Sequence, residues 1–191
     1  LDRYRVRFWI FFLLTQTGNL GVCLAQDSAL FYLFFSVMTF GAYGIIVHSL
    51  SQEALKAGRL YMIMALIGEV LLLAGMLYIY ALNGTHYFLT QDMRSSTVAT
   101  MLIFIGFWIK VGVPLLHFWL PPAHSSAPAP ASAVLSGVLL KAGLIGWFRF
   151  LPLGGEGYFV LGAMAFALGV VGMFGGAILG ILQTSQKRLL A

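Results

Sequence analysis

Six stretches of this chain are apolar for long enough to cross a lipid bilayer, and this constrains the fold more than any other feature. They run near Phe8–Ala25, Ala29–His48, Leu60–Leu82, Val98–Phe118, Ala131–Phe150 and Tyr158–Leu182. A spanning helix takes about 20 predominantly apolar residues, because it must cover roughly 30 Å at about 1.5 Å per residue. In hydrocarbon each backbone N–H and C=O must find its partner within the protein, and a helix satisfies them locally. The predicted fold class is therefore all-α: a polytopic membrane helix bundle of about six transmembrane helices, one of them broken. Composition bears on the same point. Only 9% of the 191 residues are charged and 60% are hydrophobic, whereas a soluble domain carries about 25% charged residues. That set is too small to cover a water-facing surface, and the expected surroundings are the lipid bilayer.

The net charge of +5 is no sign of nucleic-acid binding, because the basic residues gather at helix ends. Arg3, Arg5 and Arg7 precede the first span, Lys56 and Arg59 lie between the second and third, and Lys187 and Arg188 follow the sixth. With six alternating spans these groups share one side, and the positive-inside rule makes it cytoplasmic. The other side holds a mixed set: Asp27, Asp92, Arg94, Arg149 and Glu156. The expected location is the cell inner (plasma) membrane, crossed several times. The chain begins with Leu1, lacks a signal-peptide pattern and closes on a basic run. It reads as residues 1–191 of a partial transmembrane domain, excised from a longer subunit. Its one cysteine, Cys23, excludes an intrachain disulfide and a cysteine metal cluster, and reads as a small apolar residue.

Polar groups inside the spans are the candidates for chemistry. Thr15, Gln16, Thr17 and Asn19 in the first span read as hydrogen-bonding groups between helices. Glu69 lies about nine residues into the third span, roughly 14 Å deep. A carboxyl at that depth is protonated, paired or facing water, so a neutral structural role and an ion-pathway role both stand. Asn83-Gly84-Thr85 marks a turn, and the loop through Thr97 carries the dense polar cluster. Gly172, Gly176 and Gly180 recur every four residues on one face of the sixth span, a spacing that lets helices approach closely.

The segment from Ile109 to Phe150 is the most telling. It holds five of the six prolines, Pro114, Pro121, Pro122, Pro128 and Pro130, together with Lys110 and Lys141. Each lysine lies roughly 15–20 Å into its span, too deep to snorkel easily to the interface, and a charge there is costly to desolvate. Gly112, Pro114 and Pro121 form the expected broken-helix loop, where unwound backbone frees carbonyls and admits water. Two lysines around an interrupted helix suggest a path for charge. Trp119 reads first as an interfacial anchor. His117 and His124 admit two readings, as proton relays between lysine and water or as caps on loop carbonyls. They are seven residues apart with no acidic neighbour, which argues against a metal site.

The run Lys110, Pro-Leu-Leu-His-Phe-Trp-Leu-Pro (114–121), Ala-His-Ser-Ser-Ala-Pro (123–128), Ser-Gly-Val-Leu-Leu-Lys-Ala-Gly (136–143) and Phe-Arg-Phe (148–150) resembles the antiporter-like membrane subunits of respiratory complex I. The same family includes subunits of membrane-bound hydrogenases and of multisubunit cation/proton antiporters. The closing run Gln-Thr-Ser-Gln-Lys-Arg-Leu-Leu-Ala (183–191) is similar to the family's turn after its ninth helix. The resemblance covers essentially the whole chain, as helices four to nine of about fourteen. It implies that protons, or Na⁺ against protons, move through ionisable residues at mid-membrane. It places the family's broken-helix lysine on Lys110 and its eighth-helix lysine or histidine on Lys141. The acid that usually partners the lysine, on the fifth helix, falls on Ser36, and the proline of that stretch falls on Gly41. The Asp that follows Trp-Leu-Pro in the family is replaced by Pro122. Without a carboxylate at position 36, the ion pair would need one from Glu69 or from a neighbouring subunit.

The expected function is proton or Na⁺/H⁺ translocation in the membrane arm of a complex I-like assembly, with Lys110, Lys141, Glu69, His117 and His124 on the path. The alternative is a degenerate, non-conducting scaffold subunit, favoured by Ser36. A small-solute carrier would need a substrate pocket that the sequence does not announce. No catalytic residue set, metal site, cofactor ligand set or dinucleotide motif is expected, and any oxidoreductase activity would belong to the whole assembly. The expected partners are other membrane subunits, lipid, and protons or Na⁺, with no nucleic acid.

Overall fold

A computed structural model describes residues 3–88, 96–151 and 159–183 of the chain. Among these residues the structure is helical. In chain order the helices are α1 (Arg3–Leu24), α2 (Ser28–Ile46), α3 (Gln52–Asn83), α4 (Thr97–Val111), α5 (Leu120–Ser126), α6 (Ala129–Val134), α7 (Leu140–Phe150) and α8 (Phe159–Ile181). A π-helical turn, Leu135–Leu139, joins α6 to α7, so the helix runs unbroken from Ala129 to Phe150. Four of these elements are long and apolar enough to cross a membrane: Ser28–Ile46, Gln52–Asn83, Ala129–Phe150 and Phe159–Ile181. At 22 residues α1 matches them in length, but its arginines and its Thr15–Asn19 stretch dilute its apolar character. The 15 residues of α4 are apolar but too few to span alone, because the fourth span is broken, as its proline and glycine content predicts.

Local chemistry sets the helix ends. The Asp27 carboxylate accepts from the Leu30 N–H at 2.8 Å and starts α2, and the Ser51 hydroxyl accepts from the Ala54 N–H at 3.1 Å and starts α3. Each satisfies one of the unpaired N–H groups of a first turn. Gly84, at φ +69°, closes α3, and Gly112, at φ +72°, closes α4. Both use the left-handed conformation that glycine adopts without a Cβ clash. Beyond Gly112 the chain is irregular as far as Trp119, with Leu115 also in the left-handed region at φ +79°. Pro121 lies in the first turn of α5, beside Pro122, and not in the irregular loop where the sequence placed it. A proline in a first turn gives up an N–H that has no helical partner anyway.

The bundle pairs α1 with α2 and α3 with α4, and seats α5 on α3 and α7 on α4. Phe31, Phe35, Phe107 and Phe150 form a buried edge-to-face cluster where α2, α4 and α7 meet. The α3–α4 crossing is closer still. A Cβ built on Gly106 would come within 2.9 Å of the Gly68 carbonyl oxygen, and one on Gly75 within 2.9 Å of the Ala99 carbonyl oxygen. Arg149 clamps α7 to the far end of α1, donating to the carbonyls of Val22, Ala25 and Cys23 at 3.2, 2.6 and 2.5 Å. Of the glycine stripe on α8, Gly172 faces Pro114 in the break, whereas Gly176 faces open space. The polar loop with Asp92 and Arg94, Glu156, and the basic pair Lys187 and Arg188 fall outside the described residues.

Candidate functional site

Lys110 stands in the last turn of α4, just before the Gly112 cap. A helix C-terminus carries unpaired carbonyls and a partial negative charge that favours a cation. The break therefore puts a helix end beside Lys110 inside the bundle, where an unbroken helix would offer no such field. The side chain is 3% exposed. Its ammonium donates to Thr39 Oγ1 at 2.5 Å and to the Tyr61 hydroxyl at 3.3 Å. It also lies 4.8 Å from the centroid of the Phe35 ring and 5.5 Å from that of Tyr61, within the range of cation–π attraction. The two hydroxyls are themselves fixed. Thr39 donates to the Phe35 carbonyl at 2.9 Å, and Tyr61 donates to the Thr39 carbonyl at 3.2 Å. Behind them the buried Trp119 donates to the Ile109 carbonyl at 2.9 Å and packs edge-on to Tyr61. It locks the break against α4, and it is a buried buttress where its sequence context suggests an interfacial anchor.

Glu69 sits near the middle of α3 and is 5% exposed. Its Oε2 accepts from the Ser36 hydroxyl at 3.1 Å, while its Oε1 is buried without a hydrogen-bond partner among the described residues. Glu69 and Lys110 line one cavity of about 10 Å³, walled by Phe35, Tyr61, Ile109 and Trp119. That is about the room one water needs. The ammonium has three donors and uses two on hydroxyls, and the carboxyl leaves one oxygen free. The structure thus brings together Lys110, Glu69 and Ser36, three residues that are far apart in the chain.

The other residues singled out by sequence are arranged differently. Lys141 is exposed on this bundle. Ala142, Gly143, Gly146 and Phe150 form the buried stripe of α7, and Lys141 lies off that stripe. Its ammonium donates to the Ser136 carbonyl at 2.7 Å; the π-helical turn leaves this carbonyl near the amine. His124 is buried, with Nδ1 2.6 Å from the Ser132 hydroxyl across the α5–α6 joint, a local contact within the loop. His117 lies in the break and stacks on Phe118 at 5.5 Å, with Nδ1 buried and unpartnered among the described residues. Among the described residues neither histidine is hydrogen-bonded to Lys110. The hydroxyls of Thr39 and Tyr61 escaped the sequence reading. No sequence signal marks them, because α2 and α3 carry several hydroxyls and only packing selects these two.

Residues 25–191 match the family described as NADH:quinone oxidoreductase/Mrp antiporter, transmembrane. This chain belongs to that family. The antiporter-family chain is 33% identical over 212 residues to NADH-quinone oxidoreductase subunit M of Escherichia coli, a match that takes in 100% of this chain and 41% of that protein. It is 28% identical over 195 residues to NADH-ubiquinone oxidoreductase chain 4 of Marchantia polymorpha, covering 98% of this chain and 39% of that one. The chain thus spans about two fifths of the length of these relatives. Its fold superposes on a chain of an archaeal membrane-bound sulfane sulfur reductase with TM-score 0.87 and 25% identity, covering 94% of this chain and 39% of that chain. A chain of the Mrp complex from Dietzia gives TM-score 0.82 and 26% identity, with 95% and 36% covered. The antiporter-family chain is accordingly an all-α, multi-pass membrane protein.

Proposed function

We propose that this chain carries part of a proton path, or a Na⁺/H⁺ exchange path, in which Lys110 and Glu69 are the mid-membrane groups that take up and release the ion. One observation carries the reading: the ammonium and the carboxyl share a water-sized cavity without a direct hydrogen bond. A fused ion pair would hold both charges fast, and a wide separation would uncouple them. Here a single water is enough to link them, and each group keeps a neutral hydroxyl as its other partner. Lys110 is held on Thr39 and Tyr61 and Glu69 on Ser36, so either group can change protonation while staying hydrogen-bonded. Family membership supports the same reading, since relatives include an NADH-quinone oxidoreductase subunit and a chain of an Mrp complex. Partners are then further membrane subunits of a multisubunit assembly in the plasma membrane, with Lys56 and Arg59 on the cytoplasmic side. Lys141 belongs to a later stage of the path, on the face this bundle leaves open. His117 lies in the break and His124 in the joint between α5 and α6. Residues 1–191 form the portion of the subunit that holds the lysine and its carboxyl.

The scaffold reading is favoured by the serine at position 36 and by the lack of direct contact between Lys110 and Glu69. Reconstitution of the full assembly in proteoliposomes separates the two. Lys110→Ala and Glu69→Gln should each abolish ion translocation in an assembly shown to contain the subunit. Wild-type translocation by both variants would leave the scaffold reading standing.

A further inference from the structure

The break releases a backbone carbonyl, and the chain takes it back from the other side. In an unbroken helix the Ile109 carbonyl would accept from the Val113 N–H. Here Gly112 turns into the left-handed region, and the N–H groups of Gly112 and Val113 both donate to the Trp108 carbonyl, at 3.1 and 3.4 Å. The freed Ile109 oxygen accepts instead from the Trp119 indole N–H at 2.9 Å. Ile109 and Trp119 are both buried, where a carbonyl stripped of its donor is costly. This carbonyl belongs to the peptide unit that enters Lys110, so Trp119 fixes the root of the lysine side chain. The same indole packs edge-on to the Tyr61 ring, with centroids 5.2 Å apart. The Tyr61 hydroxyl accepts from the ammonium at 3.3 Å and donates to the Thr39 carbonyl at 3.2 Å. One side chain from beyond the break thus reaches both ends of Lys110, the backbone by its N–H and the tip through the Tyr61 ring.

We propose that Trp119 and Tyr61 are positioning residues that tie the placement of α5 to the hydrogen bonds of the Lys110 ammonium. This rests on the reading of Lys110 as an ion-translocating group. Trp119 stands at the N-cap of α5, and α5 is seated on α3, the helix that carries Tyr61. A shift of α5 along α3 carries the indole with it. The indole then pulls on the Ile109–Lys110 peptide and slides across the Tyr61 ring in the same movement. Both effects move the ammonium relative to its two hydroxyl partners, Thr39 and Tyr61. The coupling is reciprocal, as any coupling between two positions must be. A change in the charge of the amine changes its hold on the Tyr61 hydroxyl, and through the ring contact the seat of Trp119. Tyr61 is the joint of the device, with its hydroxyl on the lysine and its ring on the tryptophan.

The test uses the full reconstituted assembly in proteoliposomes, with translocation followed by a pH-sensitive dye across a range of pH. Tyr61→Phe keeps the ring against Trp119 and removes the oxygen that accepts from Lys110. Trp119→Phe keeps an aromatic ring and removes the N–H. Each should slow translocation about tenfold, in an assembly shown to contain the subunit, and displace the pH–rate profile by about one unit, the scale of one hydrogen bond to a charged group. The profile of Trp119→Phe is the decisive readout. Its indole donates to a backbone carbonyl and not to the ammonium, and a merely structural defect would lower the rate by the same factor at every pH. The double variant should be no slower than the slower single variant, because both changes act along one line, whereas independent losses would multiply to about a hundredfold. An undisplaced profile in Trp119→Phe, or losses that multiply, with Lys110→Ala silent, would overturn the proposal and leave the lysine reading intact. Wild-type rates in Lys110→Ala would overturn the lysine reading and the proposal with it. Where Trp119→Phe does not assemble, the profile of Tyr61→Phe decides, displaced in support of the proposal or unmoved against it.

Discussion

Gly106→Ala is the smallest change that should separate the two ionisable groups without touching either. Gly106 and Gly68 both line the cavity that Glu69 and Lys110 share, and they sit where α3 and α4 approach closely. A Cβ on Gly106 would lie 2.6 Å from Leu72 Cγ and 2.9 Å from the Gly68 carbonyl oxygen. The leucine can turn away, but the carbonyl belongs to helix backbone and cannot. Reaching an ordinary 3.4 Å contact requires the helices to part by about 0.5 Å at this point, the repulsive wall being steep. Overpacking of this kind costs about 1–3 kcal/mol, or about 2–4 °C in melting temperature per kcal/mol for a unit of this size. The larger effect should be on transfer, since misplacement by about 1 Å can cost two orders of magnitude in rate, and a water-mediated link tolerates little stretching. The comparison is Gly68→Ala, whose Cβ would stop 3.1 Å from the Gly106 carbonyl oxygen and meet Ile109 at 3.5 Å. Thermal unfolding of the purified assembly and dye-monitored translocation should rank the proteins wild type, Gly68→Ala, Gly106→Ala, with the last at least tenfold slower. Gly106→Ala equal to wild type in both assays, or milder than Gly68→Ala, would falsify the claim that this crossing sets the Glu69–Lys110 spacing.

Thr39→Val keeps the shape of the side chain but removes the oxygen that accepts from Lys110 at 2.5 Å. A hydrogen bond to a charged group contributes about 1.5–3 kcal/mol, so translocation should fall at least tenfold in an intact assembly, with Thr39→Ser near wild type; unchanged rates in Thr39→Val would remove Thr39 from the site. Gly112→Ala places a Cβ at φ +72°, which costs about 1–2 kcal/mol. It should lower the melting temperature by a few degrees, and an unshifted melting curve would show that the break does not depend on this cap. His48, beyond the end of α2, is held neutral by burial first and by the nearby Arg7 second, so its pKa lies below the usual 6.5. The unfolded chain then binds the proton more readily. Stability conferred by the neutral ring is full above about pH 6.5 and is lost as the pH falls below it. His48→Gln should flatten the melting temperature of the assembly between pH 7.5 and 5.5, and parallel pH profiles for the two proteins would exclude His48 as the cause.

The helical spans and the break were legible in the sequence because they follow from local rules. Apolar length demands helix in lipid, and a left-handed glycine followed by Pro114 ends one. Boundaries were less legible. Gln52–Asn83 begins well before the Leu60 that opens its apolar stretch, because Ser51 caps a helix whose first two turns are largely polar. The place of Lys141 was not legible for a related reason. Apolar neighbours show that a segment is in the membrane, but only packing shows which stripe of it faces the bundle. On α7 that stripe is Ala142, Gly143, Gly146 and Phe150, where small residues allow α4 to approach, and a lysine one residue away from it points elsewhere.

The site itself was half legible. Lys110 and Glu69 stand out because a charge at mid-membrane is costly and therefore noticed. Their hydroxyl partners do not, since Thr39 and Tyr61 resemble any other hydroxyl on an apolar helix until the helices are packed. Position 36 shows the difference most sharply. Read along the chain, Ser36 is a missing acid and a reason to expect a silent subunit. Read across the α2–α3 contact, the same hydroxyl grips the carboxyl of Glu69 at 3.1 Å, and that carboxyl lines the lysine's own cavity. The charge needed beside Lys110 depends on distance and not on which helix supplies it. A serine on α2 together with a glutamate on α3 can occupy the space of a longer acid on α2. A position-by-position comparison counts the first change as a loss and has no means of crediting the second.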